Sequence, residues 1–390
     1  MTVNRVRFID TMRGFSLFGI LLANLLIFQY GINGKDKMDH LSLLDKGSLY
    51  FIKIFIEGSF MPIFTILFGY SLIKLIQSIR HKKDKSRWSI LRRATGLITL
   101  GLLHGTLLWE GDILLFYGFI MLFLIPFINR KAKTLFIWGS LLFLVATALT
   151  YGSDDGSPKD QKAMDVYIDK ANAIYANGSY HEIYDFRLNV LPPGFDDPLL
   201  FYSVLIVGPL FFAPLFLLGM ALAKNHAFEH MQNERKRYVL GSLLVPVGIA
   251  CKSISFIENN FSNMLLIAGS LLLAVGYLCL AALLFQSRAL EHLYPAFESV
   301  GKLSLTNYLL QTIICTTVFY GYGLGLFGKL GVFGGIIFGI AVYSLQCIVS
   351  IIYLKRWKRG PFEAVLRIWT NWSWSGRIKQ KGSMSNESSI

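Results

Sequence analysis

Long apolar runs recur along this sequence, and they constrain its fold more than any other feature. Several segments of about 18–25 residues carry almost no charge, which is the length that an α-helix needs to cross the hydrocarbon layer of a bilayer. Apolar residues make up 54% of the 390 residues and charged residues only 16%, against roughly 25% charged in a soluble domain. We therefore predict an all-α, polytopic integral membrane protein with about ten transmembrane helices and a polar intramembrane cavity.

Basic residues in the short connections set the predicted topology, because short cytoplasmic loops are enriched in Lys and Arg. The connection around 80–93 is the most basic one and is opposed only by Asp84, which places it and both termini in the cytoplasm. The net charge of +14 is thus read as an orientation signal, with the lipid bilayer as partner and no nucleic acid. The predicted helices cover residues 12–30, 48–76, 91–108, 113–128, 134–151, 199–223, 239–256, 264–285, 300–319 and 332–354.

Three regions follow from this topology. Region 1–223 holds six helices and a polar outer loop, 151–198, in which one or two short surface helices are predicted around 164–175. Region 224–375 holds four helices and an interfacial helix at 360–369, for which Pro361 suits the first position. Region 376–390 is rich in Ser, Lys and Gly and is predicted to be a disordered cytoplasmic tail.

The stretch 102–117 concentrates polar chemistry between two apolar runs. His104 is the only one of seven histidines that falls inside an apolar run, and Glu110 and Asp112 flank Gly111 in a short turn. A charged residue at the centre of a membrane helix costs roughly 2.5–3.5 kcal/mol on insertion scales, so its usual interpretation is functional. The alternative is a neutral histidine hydrogen-bonded to a neighbouring helix.

Two further helices carry polar residues on one face. In helix one, Asp10, Arg13 and Asn24 fall within an arc of roughly 60°, and lipid cannot satisfy such a line. Asp10 and Arg13 are three residues apart and can pair. In the second helix Glu57 is another intramembrane acid, and Pro62 should kink or break that helix, with Gly58 easing the bend.

Helix nine carries a second polar stripe. Ser304, Tyr308, Gln311 and Cys315 follow a 4-3-4 spacing that keeps them on one face, and Asn307 lies beside it. Either these groups join neighbouring helices by hydrogen bonds worth roughly 1 kcal/mol each, or they form a wall of the cavity that His104 faces.

The four cysteines all lie in apolar runs without the spacing of a metal site. We interpret them as free buried thiols, and no metal is predicted.

Several of these stretches together resemble the YeiB family of bacterial membrane proteins, so the predicted location is the bacterial plasma membrane. Most positions of 102–117 fit the family pattern, including His104, Trp109 and Asp112. The chain departs from the pattern at Ser59 and Met61, where the family commonly has Lys and Arg, and at Glu110, where it commonly has Pro. The matching stretches are 7–24, 55–70, 103–117, 301–311 and 360–367, the last two from a domain of unknown function numbered 418.

The pattern Asp10-x-x-Arg13-Gly14, followed by an intramembrane histidine, is also similar to that of transmembrane acyltransferases. The heparan-α-glucosaminide N-acetyltransferases and the acyltransferase-3 enzymes belong to that group. The resemblance implies an acyl group moving from cytosolic acyl-CoA, as co-substrate, to a small-molecule or glycan acceptor at the outer face. Region 1–223 would then be the acyltransferase-like region.

The resemblance also assigns candidate roles. His104 would be the general base, or would carry the acyl group for one step, and Asp112 or Glu57 would orient it. The predicted substrate-binding residues are Asn24, Trp109, Tyr117, Asn307, Tyr308 and Gln311. The predicted cofactor-binding residues are Asp10, Arg13, Arg92 and Arg93. The three arginines are the candidates to meet the CoA phosphates, although they also fit plain positive-inside anchoring.

The alternative function is a small-molecule transporter or exporter that uses the same polar path, with His104 and Glu57 as relay groups. An inverted repeat would favour it, and the sequence shows no convincing one. Homo-oligomerisation is compatible with either function.

Overall fold

A computed structural model of the chain describes residues 7–38, 41–81, 86–152, 158–194, 198–257 and 259–374. Every regular element assigned within these ranges is a helix, as the sequence predicts. The helices are α1 (Arg7–Tyr30), α2 (Leu43–Phe51), α3 (Phe60–His81), α4 (Ser86–Leu107), α5 (Leu114–Phe123), α6 (Ala132–Ala148), α7 (Pro158–Asn177), α8 (Tyr180–Asn189), α9 (Pro198–Lys224), α10 (Arg235–Ser242), α11 (Leu244–Ile254), α12 (Ser262–Ser287), α13 (Tyr294–Lys302), α14 (Ser304–Phe319), α15 (Gly331–Arg356) and α16 (Pro361–Asn371).

Each predicted transmembrane segment coincides with helix, and the differences lie mainly near prolines. The fourth predicted segment gives only α5 and a short 3-10 turn that contains Pro126. The seventh is divided at Leu243 into α10 and α11, with Pro246 at the third position of α11. Proline has no N–H to donate and clashes with the preceding turn, so an uninterrupted helix is unfavourable there. The ninth segment starts earlier than predicted and is divided at Leu303 into α13 and α14.

The predicted break in the second segment is confirmed. Helix α2 continues through a π turn, Ile52–Ile56, and the chain then breaks before α3 begins at Phe60. Gly58 adopts a φ of +70° in this break, a conformation that costs glycine little. Pro62 is the third residue of α3, where a missing N–H leaves no helical bond unmade.

Within the described residues, five helical stretches are long and apolar enough to cross a membrane: 7–30, 43–80, 231–254, 262–287 and 331–356. The shorter apolar helices α5 and α6 occupy 114–123 and 132–148, and residues 211–224 are the apolar second half of α9. The chain is therefore a helical membrane protein. The apolar window of α1 is 67% buried, against 17–44% for the other four, so α1 is the central helix.

Helices α1 and α13 cross at two glycines. A Cβ on Gly14 would lie 1.9 Å from the carbonyl oxygen of Phe297, and one on Gly301 would lie 1.8 Å from that of Asp10. Neither position has room for a side chain. This close approach fixes the start of α1 against the second half of the chain, as small residues do at membrane helix interfaces.

The two ends of the bundle are named here by their residues. At the end that we call the basic end, Arg7 at the start of α1 pairs with Glu298 of α13 at 2.5 Å. At the opposite end, which we call the His104 end, the N–H of Gly321 donates to the carbonyl of Tyr175 at 2.8 Å. This second bond ties α7 to the segment that follows α14.

Helices α7 and α8 make up most of the described part of the predicted outer loop. Helix α7 covers the 164–175 region and is longer than the short surface helices expected there. Helix α8 lies beyond that region, and its start is fixed by a capping box of Ser179 and Glu182. Residues 153–157 and 195–197 of that loop lie outside the described residues, as do 82–85 of the most basic connection and the predicted tail at 376–390.

Candidate active site

His104 and Asp112 form a buried pair at the end of α4. The Nδ1 of His104 lies 2.7 Å from Oδ1 of Asp112, and the two side chains are 1% and 4% exposed. Helix α4 ends at Leu107, and the turn that follows carries Asp112 back against the last helical turn. The other carboxylate oxygen accepts the N–H of Leu115 at 2.7 Å, which satisfies a donor in the first turn of α5.

The second nitrogen of His104 contacts a different helix. Its Nε2 lies 3.0 Å from Oγ1 of Thr312 in α14. A carboxylate can only accept, so Asp112 selects the tautomer in which Nδ1 carries the proton. Nε2 is then an acceptor and the hydroxyl of Thr312 is its donor. The three groups form an unbroken line from carboxylate to imidazole to hydroxyl.

Aromatic side chains enclose the pair. The ring of Tyr308 lies 5.2 Å from the imidazole ring of His104. Trp109 is 1% exposed and stacks on Phe28 of α1 at 4.2 Å, and its indole N–H has no hydrogen-bond partner among the described residues. The pair is thus shielded from water, which strengthens every electrostatic interaction within it.

Tyr117 connects α5 to α3 in the interior of the bundle. Its hydroxyl and that of Thr65 in α3 lie 2.7 Å apart in the interior. Tyr117 also lines a cavity that opens toward the basic end.

A cavity of about 340 Å³ extends from the basic end toward the pair. At its inner end it is lined by Ile113, Leu114, Tyr117 and Tyr308, so Tyr308 separates it from the imidazole. Toward the basic end its described lining carries six cationic side chains and a single carboxylate, that of Glu363. The cationic side chains are Arg13, Arg93, Lys302, Lys358, Arg359 and Arg367.

These cations come from α1, α4, α13, α16 and the connection before α16, and they line one cavity. Burial and the neighbouring guanidinium of Arg359 both lower the pKa of Arg367. Such mutual repulsion is unfavourable unless an anion occupies the space between like charges. The charge of this cavity therefore suits a ligand that carries several negative charges.

Helix α16 forms one side of this cavity. Glu363 accepts the N–H groups of Leu305 and Thr306 at 2.8 and 3.1 Å and the hydroxyl of Thr306 at 2.5 Å. It thereby caps α14, the helix that carries Thr312. The indole N–H of Trp369 donates to Thr95 of α4 at 3.1 Å. A helix is present where the sequence predicts one at 360–369, and it joins α4 to α14.

The His104 end is covered by α7 and α8. The hydroxyl of Tyr175 donates to Glu110 at 2.7 Å, and Arg187 lies 3.6 Å from the same carboxylate. The hydroxyl of Tyr180 donates to the carbonyl of Leu107 at 2.8 Å. These contacts fix both surface helices over the turn that supplies Asp112.

The residues predicted to bind CoA separate into two groups. Asp10 and Arg13 pair at 3.4 Å, as predicted, and Arg13 lines the cavity together with Arg93. Arg92 does not line it: its Nε donates to the carbonyl of Thr370 at 2.9 Å. That bond attaches α4 to α16.

Asn307 and Gln311 of the helix-nine stripe are buried and turn toward α15. Asn307 donates to Ser350 at 3.1 Å and Gln311 to Gln346 at 2.9 Å, which is the bundle-joining alternative. Tyr308 turns toward His104 instead. Asn24 is half-buried in α1, and within the described residues no hydrogen bond joins it to the pair.

Glu57 lies in a different cluster. Its carboxylate pairs with Lys35, and its carbonyl accepts a hydrogen bond from the fully buried Lys252. This cluster borders a second, largely apolar cavity of about 600 Å³ between α3, α6, α9, α12 and the segment that follows α11. Asp112 alone of the two predicted carboxylates contacts the imidazole.

Sequence reasoning missed Thr312 and four of the cavity cations. Thr312 lies one helical turn after Tyr308 on the same face, so the stripe could have been extended to it. In the sequence, Lys302 stands out only as part of the stretch 301–311 that resembles the family. Lys358 and Arg359 belong to a basic connection after the tenth predicted segment, and Arg367 belongs to the predicted interfacial helix.

This arrangement defines a class: a helical membrane protein with a buried histidine–carboxylate pair at the inner end of a basic cavity. The sequence profile of the family described as "Protein of unknown function (DUF418)" matches residues 222–373. "Uncharacterized protein YxaH" of Bacillus subtilis (strain 168) is 30% identical over 403 residues, covering 97% of this chain and 98% of that protein. "Uncharacterized protein YeiB" of Escherichia coli (strain K12) is 28% identical over 384 residues, covering 92% and 94%. The chain belongs to the YeiB family of DUF418 proteins.

Proposed function

We propose that this protein is a transmembrane acyltransferase that takes an acyl group from cytosolic acyl-CoA and delivers it to an acceptor at the opposite membrane face. One observation carries the proposal. The basic cavity ends at Tyr308, whose ring lies 5.2 Å from that of His104. An acyl donor with a phosphate-rich head could therefore bind its phosphates at the basic end and direct its reactive thioester toward His104, the proposed general base.

The proposed topology places the ten predicted segments across the bacterial plasma membrane, with both termini in the cytoplasm. The basic end then faces inward, in agreement with the enrichment of Lys and Arg in cytoplasmic loops. The cavity opens to the cytosol, where acyl-CoA is found. The turn that carries Asp112 lies near the outer face, beneath α7 and α8.

Acyl-CoA fits the cavity by charge. Its phosphate groups match the guanidinium forks of Arg13 and Arg93, which lie toward the bundle interior, and of Arg367 on α16. The cavity volume of about 340 Å³ lies within the usual range for small-molecule sites. With the phosphates at the basic end, the thioester points toward Tyr308.

His104 is the proposed general base of the reaction. The acceptor oxygen or nitrogen forms a bond to the thioester carbonyl carbon, the carbon–sulfur bond breaks, and the acceptor proton passes through Nε2 to the leaving sulfur. The products are the acylated acceptor and free CoA thiol. Asp112 holds Nδ1 protonated and stabilises the imidazolium that forms transiently. The unpartnered indole N–H of Trp109 is the proposed donor to the acceptor.

The test measures release of free CoA thiol by purified protein in liposomes, with acetyl-CoA or lauroyl-CoA at the basic end and alcohols, amines or glycans outside. We expect His104→Gln to reduce turnover by about 100- to 10,000-fold, the usual contribution of a general base. His292→Gln, which changes an exposed histidine, is the matched control and should keep full activity. Equal release by wild type and His104→Gln would exclude this role.

The cavity is tested separately. Arg367→Gln should raise KM for acyl-CoA and weaken its salt dependence, because it removes one phosphate contact. Lys355→Gln changes an exposed cation at the same end that does not line the cavity, and it should leave KM unchanged. Similar effects of both variants would mean that the cavity does not hold the donor.

A transporter remains the second candidate, and the second cavity favours it. That cavity lies at the His104 end, bordered by the Lys35–Glu57 pair, so the bundle has a cavity toward each end. A transporter predicts that the wild-type protein consumes no acyl-CoA and that His104→Gln changes the pH dependence of uptake. The same liposomes distinguish the two functions.

A further inference from the structure

We infer that Thr312 is a catalytic nucleophile that carries the acyl group between donor and acceptor. The inference rests on the proposed function and adds a covalent step to it. The reaction then has two half-reactions that share one base, His104.

The geometry of three side chains carries the inference. Asp112 Oδ1 lies 2.7 Å from Nδ1 of His104, and Nε2 lies 3.0 Å from Oγ1 of Thr312. The carboxylate fixes the tautomer, so the free lone pair of Nε2 faces the hydroxyl proton. A hydroxyl, a base and a group that orients the base, each within hydrogen-bond reach of the next, form the arrangement that activates a hydroxyl nucleophile on unrelated folds.

Other buried threonines of the bundle show what a structural threonine does here. Thr11 and Thr370 each donate to the carbonyl four residues earlier, at 3.1 and 2.6 Å, the ordinary solution for a hydroxyl in a helix. For Thr312 that carbonyl, of Tyr308, is 3.4 Å away, whereas the imidazole is at 3.0 Å. Its hydroxyl therefore favours a partner outside its own helix.

The position of Thr312 also suits an acyl carrier. It lies one helical turn beyond Tyr308, where the basic cavity ends, and is 1% exposed. Donor and acceptor reach this point from opposite ends of the bundle. A covalent intermediate lets them react one after the other, so the site never has to hold both. Tyr308 must move aside for the thioester, which makes its ring the barrier between cavity and nucleophile.

Both half-reactions balance with these groups alone. In the first, Oγ1 of Thr312 bonds to the thioester carbonyl carbon, the carbon–sulfur bond breaks, and the hydroxyl proton passes through Nε2 of His104 to the sulfur. In the second, the acceptor oxygen or nitrogen bonds to the ester carbon and the bond to Oγ1 breaks. The acceptor proton passes through Nε2 back to Oγ1, which restores the resting enzyme.

The experiment is intact-protein mass spectrometry after incubation with acetyl-CoA or lauroyl-CoA and no acceptor, followed by peptide mapping. We expect the wild type to gain the mass of one acyl group on the peptide that contains Thr312. The adduct should persist as an ester and disappear when the acceptor is added. Thr312→Val and His104→Gln should form no adduct, whereas Thr312→Ser should form it, which shows that the hydroxyl is required.

Thr316→Val is the matched control. Thr316 is also 1% exposed in α14, but its hydroxyl donates to the carbonyl of Ile313 at 3.3 Å. The same substitution one turn further on should leave adduct formation and turnover unchanged. An equal loss in both variants would mean that Thr312→Val acts through packing, and the inference would fail.

Failure of the inference can be told from failure of the proposed function. If the wild type never consumes acyl-CoA with any acceptor, the proposed function is wrong. If the wild type turns over but Thr312→Val does so within a few-fold of it, transfer is direct and only the inference is wrong. A quickly hydrolysing adduct on His104, as expected of an acyl-imidazole, would assign the carrier role to the histidine. That result would overturn the inference about Thr312.

Discussion

At the scale of single residues, the site depends on one carboxylate with two tasks. Asp112 orients His104 through one oxygen and caps α5 through the other, which accepts the N–H of Leu115. Gly101 allows this approach, because a Cβ there would lie 2.7 Å from Oδ2 of Asp112 and 2.2 Å from the nitrogen of Leu115. The pair therefore requires a glycine in α4 opposite the turn.

Asp112→Asn should lower turnover, but by less than His104→Gln. The shape of the side chain stays, and its carbonyl oxygen can still accept the proton on Nδ1, although its amide nitrogen cannot accept the N–H of Leu115. The negative charge that stabilises an imidazolium is lost. The measurement is release of CoA thiol under saturating donor. Glu110→Gln is the control, because Glu110 lies in the same turn but is held by Tyr175. A larger loss in Glu110→Gln than in Asp112→Asn would contradict the assignment.

The sequence could predict part of this site. His104 and Asp112 are eight residues apart, and a turn between two apolar runs brings them together. Thr312 is 208 residues from His104, so their contact depends on how α4 and α14 pack. Glu57 was predicted to orient His104 because it is an acid in an apolar segment. Its actual partners, Lys35 and Lys252, could not be predicted from the sequence.

At the scale of elements, α16 is the piece that completes the basic cavity. Its Glu363 replaces a local cap for α14, whose own N-cap position, Leu303, makes no side-chain capping hydrogen bond. Arg92 holds its other end by donating to Thr370. The sequence predicted the amphipathic character of this helix, but not that the acid on it would cap a helix 57–58 residues away.

Glu363→Ala should destabilise the protein and impair donor binding together. It removes the cap of α14, and such losses cost about 0.5–2 kcal/mol. It also releases α16, so KM for acyl-CoA should rise. Thermal unfolding in detergent and donor titrations would measure the two effects. Glu291→Ala, at an exposed acid of the same end, should change neither. A lowered Tm with unchanged KM would show that α16 does not form part of the donor site.

At the scale of the whole molecule, alternating apolar helices and basic connections were enough to predict an all-helical membrane protein. The helix boundaries departed from that pattern near prolines and at Leu303, where Glu363 of α16 caps the start of α14. The sequence did not predict which helices pack against each other. Lipid is as apolar as the helices, so an apolar helix surface gives little indication of its neighbour. The glycine crossing of α1 and α13 illustrates this, since it joins segments at opposite ends of the sequence.

The proposed topology is tested by labelling in intact cells. In a variant without Cys251, Cys279, Cys315 and Cys347, a single cysteine replaces Lys131 or Lys162, both exposed. An impermeant maleimide should label the cysteine at Lys162, on α7, and should label the one at Lys131 only after permeabilisation. The reverse pattern would invert the topology, and labelling of both would contradict the placement of α7 on the opposite side from the basic connections.

In the proposed topology, the buried line of Asp112, His104 and Thr312 also bears on how well the protein would insulate a membrane. Each group meets its neighbour directly, and the histidine and carboxylate side chains are almost completely shielded. A column of water, along which protons and ions could leak, is therefore not needed to satisfy them. Acyl transfer across a bilayer through such a dry partition would leave the transmembrane potential intact, so a cell could hold many copies of this protein without dissipating the gradient that drives its other membrane processes.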